Sequence, residues 1–216
     1  MRAGIVVPAH NEERYLGACL RSAELTGARI IVVADACSDG TLAVARAFGA
    51  TVIETDARNV GVARDLGVTA LIRQGADWIA TTDADTLVPP CWLLSQLRYA
   101  EEGWHAVAGS VTITDWTEHP TWRARLWAGR YPEPGLHGAN LGFTAAAYQA
   151  AGGFPPLRTG EDRAFVHALE AAGGRVLRTS SVNVVTSARR HYRAPRGFGH
   201  LLASLTPSTP PTTVHE

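Results

Sequence analysis

Four times before residue 100, a short apolar run gives way to a polar loop and then to a stretch of helical period, an alternation that few folds accommodate. The runs at 4–8, 29–34, 51–54 and 78–82 have strand length, and the segments after them carry apolar residues three and four apart, as in Leu16, Cys19, Leu20 and Ala23. Strands that alternate with helices of this length build a parallel sheet with crossover helices on its faces. Helices are predicted from about 11 to 23, around 42–48, from 60 to 73, and from Pro90 through Leu97. Pro89-Pro90 suits the opening of the last one, since proline fits a first helical turn.

Past Gly109 the cycle breaks up into an α+β half. Trp116, Trp122 and Trp127 interleave there with Arg123, Arg125 and Arg130. That stretch reads as a packed helix with snorkelling arginines, or alternatively as an acceptor groove or a surface for peripheral membrane contact. A Gly138-Ala139-Asn140 turn follows, then a helix from 159–162 to about 172 and two strand-like stretches at 175–178 and 183–186. The expected organisation is one domain over 1–204, its first half 1–110 and its second 111–204, with a disordered Thr/Pro-rich tail over 205–216.

Composition removes several chemistries. All twenty basic residues are arginine, which excludes Schiff-base, P-loop and kinase-type lysines. Twenty acidic residues balance them, so the basic excess typical of nucleic-acid binding is missing, and no nucleic-acid partner is expected. Cys19, Cys37 and Cys91 form neither an even set nor a C-x-x-C pair, which leaves disulfide scaffolds and four-ligand zinc unsupported and favours a reducing, cytoplasmic setting. The apolar run at the start stops at Pro8, too short for an export signal or a transmembrane segment.

In an open parallel sheet, ligands collect beyond the carboxyl ends of the strands. The residues at those ends are Asn11 and Glu12, Asp35 and Asp39, Asn59 with Gly61, and Asp83 with Asp85. Four polar strand ends on one sheet edge point to a binding crevice, although Asp39 before Gly40-Thr41 also has the place of a helix cap. With nine aspartates in 216 residues, chance supplies about 0.4 D-x-D pairs, so the Asp83-Ala84-Asp85 pair gains its meaning from its place after an apolar strand. Two carboxylates leaving a buried strand repel each other unless a cation or hydrogen-bond donors lie between them. Oxygen ligands of this kind suit Mg²⁺ or Mn²⁺ held together with a substrate diphosphate, the alternative being a pair of solvated turn acids. Glu161-Asp162 lies at a predicted helix start, where acids are favoured by the dipole and where a carboxylate facing the crevice would serve as a general base. The cluster Ser187-Ala188-Arg189-Arg190-His191-Tyr192-Arg193 offers arginines for a departing diphosphate and a histidine for a metal, or simply a solvated basic surface.

Taken in order, these segments resemble the family-2 glycosyltransferases. The matching residues are Val6-Val7-Pro8-Ala9-His10-Asn11-Glu12, Val33 through Thr41, Asn59 through Asp65, Thr82-Asp83-Ala84-Asp85, Gly138-Ala139-Asn140, Ala151-Gly152-Gly153-Phe154 and Gly160-Glu161-Asp162. The resemblance implies the GT-A fold: a Rossmann-like, mostly parallel α/β sheet flanked by helices, with a nucleotide-binding half and a smaller acceptor and catalytic half. It implies transfer of one sugar from a UDP- or GDP-sugar to an acceptor hydroxyl of unknown identity, with inversion, helped by Mg²⁺ or Mn²⁺. By the same resemblance, Pro8, Ala9, Asn11 and Glu12 line the nucleoside pocket, Asp35 contacts the base, and Asn59, Gly61 and Arg64 close the nucleotide side. Asp83 lies near the ribose, Asp85 ligates the cation beside Ala84, and Gly138 and Asn140 belong to the donor segment. Asp162 is the implied base with Glu161 beside it, and Asp83 and His191 are further metal-ligand candidates.

Two positions depart from the family pattern: one acid, Asp35, stands where two are usual, and Arg64-Asp65 replaces Arg-Asn. The Gln-x-x-Arg-Trp segment of processive members is missing, which favours addition of a single sugar. The competing readings are an inert nucleotide-sugar-binding subunit and a nucleotidyltransferase; the retained Asp83, Asp85 and Asp162 disfavour the first, and the absence of an early Gly-rich loop disfavours the second.

Overall fold

The computed structural model describes residues 1–130, 135–190 and 198–205. Its strands are β1 (Ala3–Ala9), β2 (Arg29–Asp35), β3 (Thr51–Thr55), β4 (Trp78–Thr81), β5 (Thr86–Leu87), β6 (Ala106–Thr112), β7 (Leu141–Thr144) and β8 (Val176–Thr186). They form one sheet in the order β3-β2-β1-β4-β7-β6-β8-β5. The first four run parallel, as the alternation predicts; β7 then enters antiparallel to β4 and β6, β8 lies parallel to β6, and β5 closes the edge antiparallel to β8.

The helices are α1 (Leu16–Glu24), α2 (Thr41–Ala47), α3 (Val60–Arg73), α4 (Trp92–Glu101), α5 (Thr121–Arg130), α6 (Ala145–Ala150), α7 (Glu161–Ala171) and α8 (Phe198–Ser204). Because successive strand residues point to opposite faces, β1 sends Ile5 and Val7 into a core with Leu16, Leu20, Trp78 and Trp92, and Val6 into a second core with Leu71, Phe143 and Phe165. Helices α1 and α4 therefore cover one face, and α3 and α7 the other. Close approach on the second face depends on Gly67 of α3, where a Cβ would lie 2.5 Å from a Val6 methyl.

The second half differs from the sequence reading at β8 and at Leu205, and follows its packed-helix alternative at the Trp/Arg stretch. The two predicted strand stretches at 175–178 and 183–186 are one strand, β8, whose register against β6 jumps from Gly109↔Thr179 to Ser110↔Asn183. The polar residues between them form this bulge and do not end the strand. The Trp/Arg stretch packs: Trp127 of α5 joins Ile113, Ala188, Leu202 and Leu205 in a third apolar cluster, with Trp116 against it. Leu205, expected in a disordered tail, is 2% exposed in that cluster; the rest of the tail and His191 lie outside the described residues. No helix among the described residues is long and apolar enough to cross a membrane.

Candidate active site

The carboxyl ends of β1, β2 and β4 open into a cleft of about 640 Å³, and the start of α7 and the segment after β8 form its other walls. At one end lies Asp35, the last residue of β2 and 5% exposed. Its two carboxylate oxygens accept the backbone N–H groups of Arg58 and Asn59, each at 2.7 Å. Ala36 and Arg58 beside it hold positive φ, +52° and +49°, a conformation that costs an L-residue about 1–2 kcal/mol. Strain of this sort is kept where the surroundings over-determine it. Asn59 caps α3, its Oδ1 accepting from Val62 N at 3.2 Å and its Nδ2 donating to Pro156 O at 2.8 Å.

The floor is Arg64, a buried residue of α3. Its guanidinium donates to Asp83 Oδ1 at 2.5 Å and to Glu161 Oε1, so it ties the end of β4 to the start of α7. Gly138 lies flat on the same guanidinium, where any Cβ would come within 2.4 Å. The far end holds Asp85, whose Oδ2 is ion-paired with Arg189, 3.2 Å from its Nε, while the other two arms of that guanidinium grip Glu12 at 2.5 and 2.6 Å. Arg189 also lies over the Tyr15 ring, 5.0 Å from its centroid. Burial pushes the Asp85 carboxyl up to about 7; Arg189 opposes the shift, and the neighbouring charges of Asp83 and Glu12 reinforce it.

In this floor four carboxylates, Glu12, Asp83, Asp85 and Glu161, share two guanidiniums. Acids outnumber bases in the floor, and the excess is relieved in part by burial holding a proton on Asp85. That donor set fits a divalent cation, which takes one or two protein carboxylates and completes its shell with water and substrate phosphate.

Asp162 stands in the cleft wall at the start of α7. Its Oδ2 accepts from Gly138 N and its Oδ1 from Arg163 N, both at 2.8 Å. Next to it is His137, whose imidazole pKa is lowered by burial, with Asp162 and Asp83 pulling the other way.

The cleft thus gathers Pro8, Ala9, Asp35, Asn59, Arg64, Asp83, Ala84, Asp85, Gly138, Glu161 and Asp162 from the expected set. Four expected residues do not line it. Gly61 packs against 155–157, where a Cβ would sit 2.1 Å from Pro155 O, so it serves helix placement. Asn11 turns to Ser38, accepting its backbone N–H at 2.7 Å, and Glu12 is consumed by Arg189. Asn140 is fully buried: its Oδ1 accepts from Trp92 Nε1 at 2.8 Å, and its Nδ2 donates to Ser110 O and Val182 O at 2.7 and 2.9 Å. It fills the β6–β8 bulge and leaves nothing for a ligand. Glu161, expected beside the base, spends its carboxylate on Arg64 and acts by fixing the start of α7. Asp39 precedes Gly40, the N-cap of α2, and accepts from Thr41 N at 3.0 Å, so it serves the helix start. The departure at Asp65 is also structural, since its Oδ1 accepts from Tyr148 Oη at 2.6 Å on the core face.

Sequence reasoning passed over His10, Arg58 and His137 on the cleft wall and gave Arg189 no role of its own. Arg189 belonged to the basic cluster after the last strand, which was a usable signal; the partnership with Glu12, 177 residues away, was not.

Comparison with known proteins gives the family and the fold. The chain is 33% identical over 107 residues to a dolichyl-phosphate hexose transferase of Haloferax volcanii, a match covering 49% of this chain and 46% of that protein. The structure of S. aureus TarS 1–349 in complex with UDP-GlcNAc superposes with a TM-score of 0.70 at 16% identity, over 95% of this chain and 62% of that one. The mannosyltransferase PcManGT from Pyrobaculum calidifontis, in complex with GDP-Man and Mn²⁺, gives 0.66 at 22% identity, over 88% and 58%. This chain therefore spans about half of the curated relative's length and about six-tenths of these structures. The fold is that of the GT-A glycosyltransferases. Residues 4–155 match the family described as "Glycosyl transferase family 2", and the chain belongs to that family.

Proposed function

We propose that the protein transfers a single hexose from a nucleoside-diphosphate sugar to an acceptor hydroxyl, with inversion at the anomeric carbon. The observation that carries this reading is the convergence of Asp35, the Asp83–Asp85 turn and Asp162 on one cleft from three different strand and helix ends. Asp35, rigid between two backbone donors, is suited to reading the nucleoside. Arg64 holds Asp83 and Glu161 in fixed relation, so the donor side and the catalytic side keep their spacing. Asp162, oriented by Gly138 N and Arg163 N, retains oxygen lone pairs for the proton of the attacking hydroxyl. A general base of this kind contributes about 10² to 10⁴ in rate.

Asp85, with Asp83, would hold Mg²⁺ or Mn²⁺, which would supply Lewis-acid stabilisation of the charge developing on the leaving diphosphate. The complexes of TarS with UDP-GlcNAc and of PcManGT with GDP-Man and Mn²⁺ support UDP or GDP as the carrier and a divalent ion as the helper. A cytoplasmic location, and His191 as a further metal ligand, belong to the same reading.

Calorimetric titration with UDP and with GDP, each with Mn²⁺ and with EDTA, tests it. Metal-dependent binding of one nucleotide is the expected result. Failure of both nucleotides to bind in either condition would overturn the proposal.

A further inference from the structure

Arg189 is ion-paired with the carboxylate that the proposed reading gives to the cation. Its Nε lies 3.2 Å from Asp85 Oδ2. The remaining contacts are the bidentate grip on Glu12 and the stacking over Tyr15. These engage the two terminal nitrogens and the face of the guanidinium, and Nε is the atom turned to Asp85. Its side chain is 12% exposed, and the residue lines the cleft together with Ser187, so an incoming anion can reach it.

A guanidinium and a divalent cation compete for a carboxylate oxygen, and the winner depends on what else each can hold. A planar guanidinium presents several N–H donors matched to phosphate oxygens. A diphosphate entering the cleft therefore offers Arg189 a better partner than Asp85, while adding oxygen ligands for the metal. The two ligands then assist each other, and that assistance is reciprocal as a matter of linkage.

We infer that Arg189 is a resident cation of the carboxylate site: it competes with the divalent ion for Asp85, and the diphosphate of the donor draws it away, coupling nucleotide binding to metal binding. The inference rests on the proposed metal-dependent reading and adds a binding order to it: the metal binds weakly alone and tightly with nucleotide.

The test is Mn²⁺ affinity, read by electron paramagnetic resonance or calorimetry, without nucleotide and then with saturating UDP or GDP. In the wild-type protein the nucleotide should tighten Mn²⁺ binding by at least about tenfold. Arg189→Met should tighten the binding of Mn²⁺ alone by about tenfold, because the competitor is gone. Tyr15→Leu changes no charge and removes only the stacking that favours the resident position. It should tighten Mn²⁺ alone by about two- to fivefold, the size of an ordinary cation–π contact, and it keeps the test decisive where Arg189→Met does not fold. Unchanged affinity in both variants overturns the inference. So does tightening confined to Arg189→Met, which would make Arg189 a background charge and no competitor. A wild-type protein that binds UDP or GDP but never Mn²⁺ overturns the metal-dependent reading itself.

Discussion

Asp85→Asn is expected to make the protein more stable in the absence of metal, and increasingly so as pH rises. The folded chain holds the Asp85 proton up to about pH 7, against an ordinary value of 3.8. Below 3.8 both folded and unfolded chains are protonated at this site, and between 3.8 and 7 only the folded chain is. Stability contributed by the proton is therefore present at acid pH and lost as pH climbs through about 7. At about 1.4 kcal/mol per pH unit, the whole window amounts to about 4 kcal/mol, the most that ionised Asp85 costs the folded state above pH 7. Asparagine carries no such proton, so it should match the wild type near pH 4 and exceed it by up to that amount at pH 8. Thermal unfolding in EDTA from pH 4.5 to 8.5 reads the difference, and other titrating groups cancel between the two proteins. For a chain of this size each kcal/mol moves the midpoint by roughly 2–4 °C. Equal midpoint differences at pH 5 and pH 8 would refute the argument. Mn²⁺ with nucleotide should then reverse the order, raising the wild type alone by mass action.

Asp162→Asn should keep nucleotide affinity and lose about 10² to 10⁴ in transfer rate; full turnover in a sugar-transfer assay would remove the base assignment. Arg64→Met leaves Glu161, 5% exposed in its side chain, without a counter-charge, and should cost about 3–5 kcal/mol in a urea titration. Asn140→Ala orphans Trp92 Nε1 and the carbonyls of Ser110 and Val182 and should cost about 3 kcal/mol or more, with nucleotide affinity at 25 °C little changed because the side chain faces no ligand.

The parallel half was legible in the sequence because each of its signals is local. Ile5, Val6 and Val7 are uniformly apolar because β1 is buried on both faces, and Leu16, Cys19, Leu20 and Ala23 carry the helical period. Once the strands are placed, the rule that ligands gather at their carboxyl ends brings Asp35, Asp83 and Asp85 to one edge. The remainder depends on partners distant in sequence. Ser180 and Ser181 read as a strand break because nothing nearby announces that Asn140 will fill the bulge beside them. Glu161 and Asp162 are adjacent acids at one helix start, and only Arg64, 97 residues before Glu161, decides which carboxylate is committed. Gly61 likewise has a distant neighbour that its local sequence does not show: the backbone at Pro155 passes too close for a side chain.

The two residues of β5 follow directly on the Asp83–Asp85 turn and pair with the last two of β8, with Thr86 Oγ1 and Thr186 Oγ1 2.9 Å apart in the buried rung. Arg189 follows three residues later. The turn that carries the carboxylates and the segment that carries their guanidinium are thereby sewn together at the sheet edge, although a hundred residues separate them along the chain. A fragment cut at residue 155, where the family match ends, would keep the turn and lose the thread that holds it.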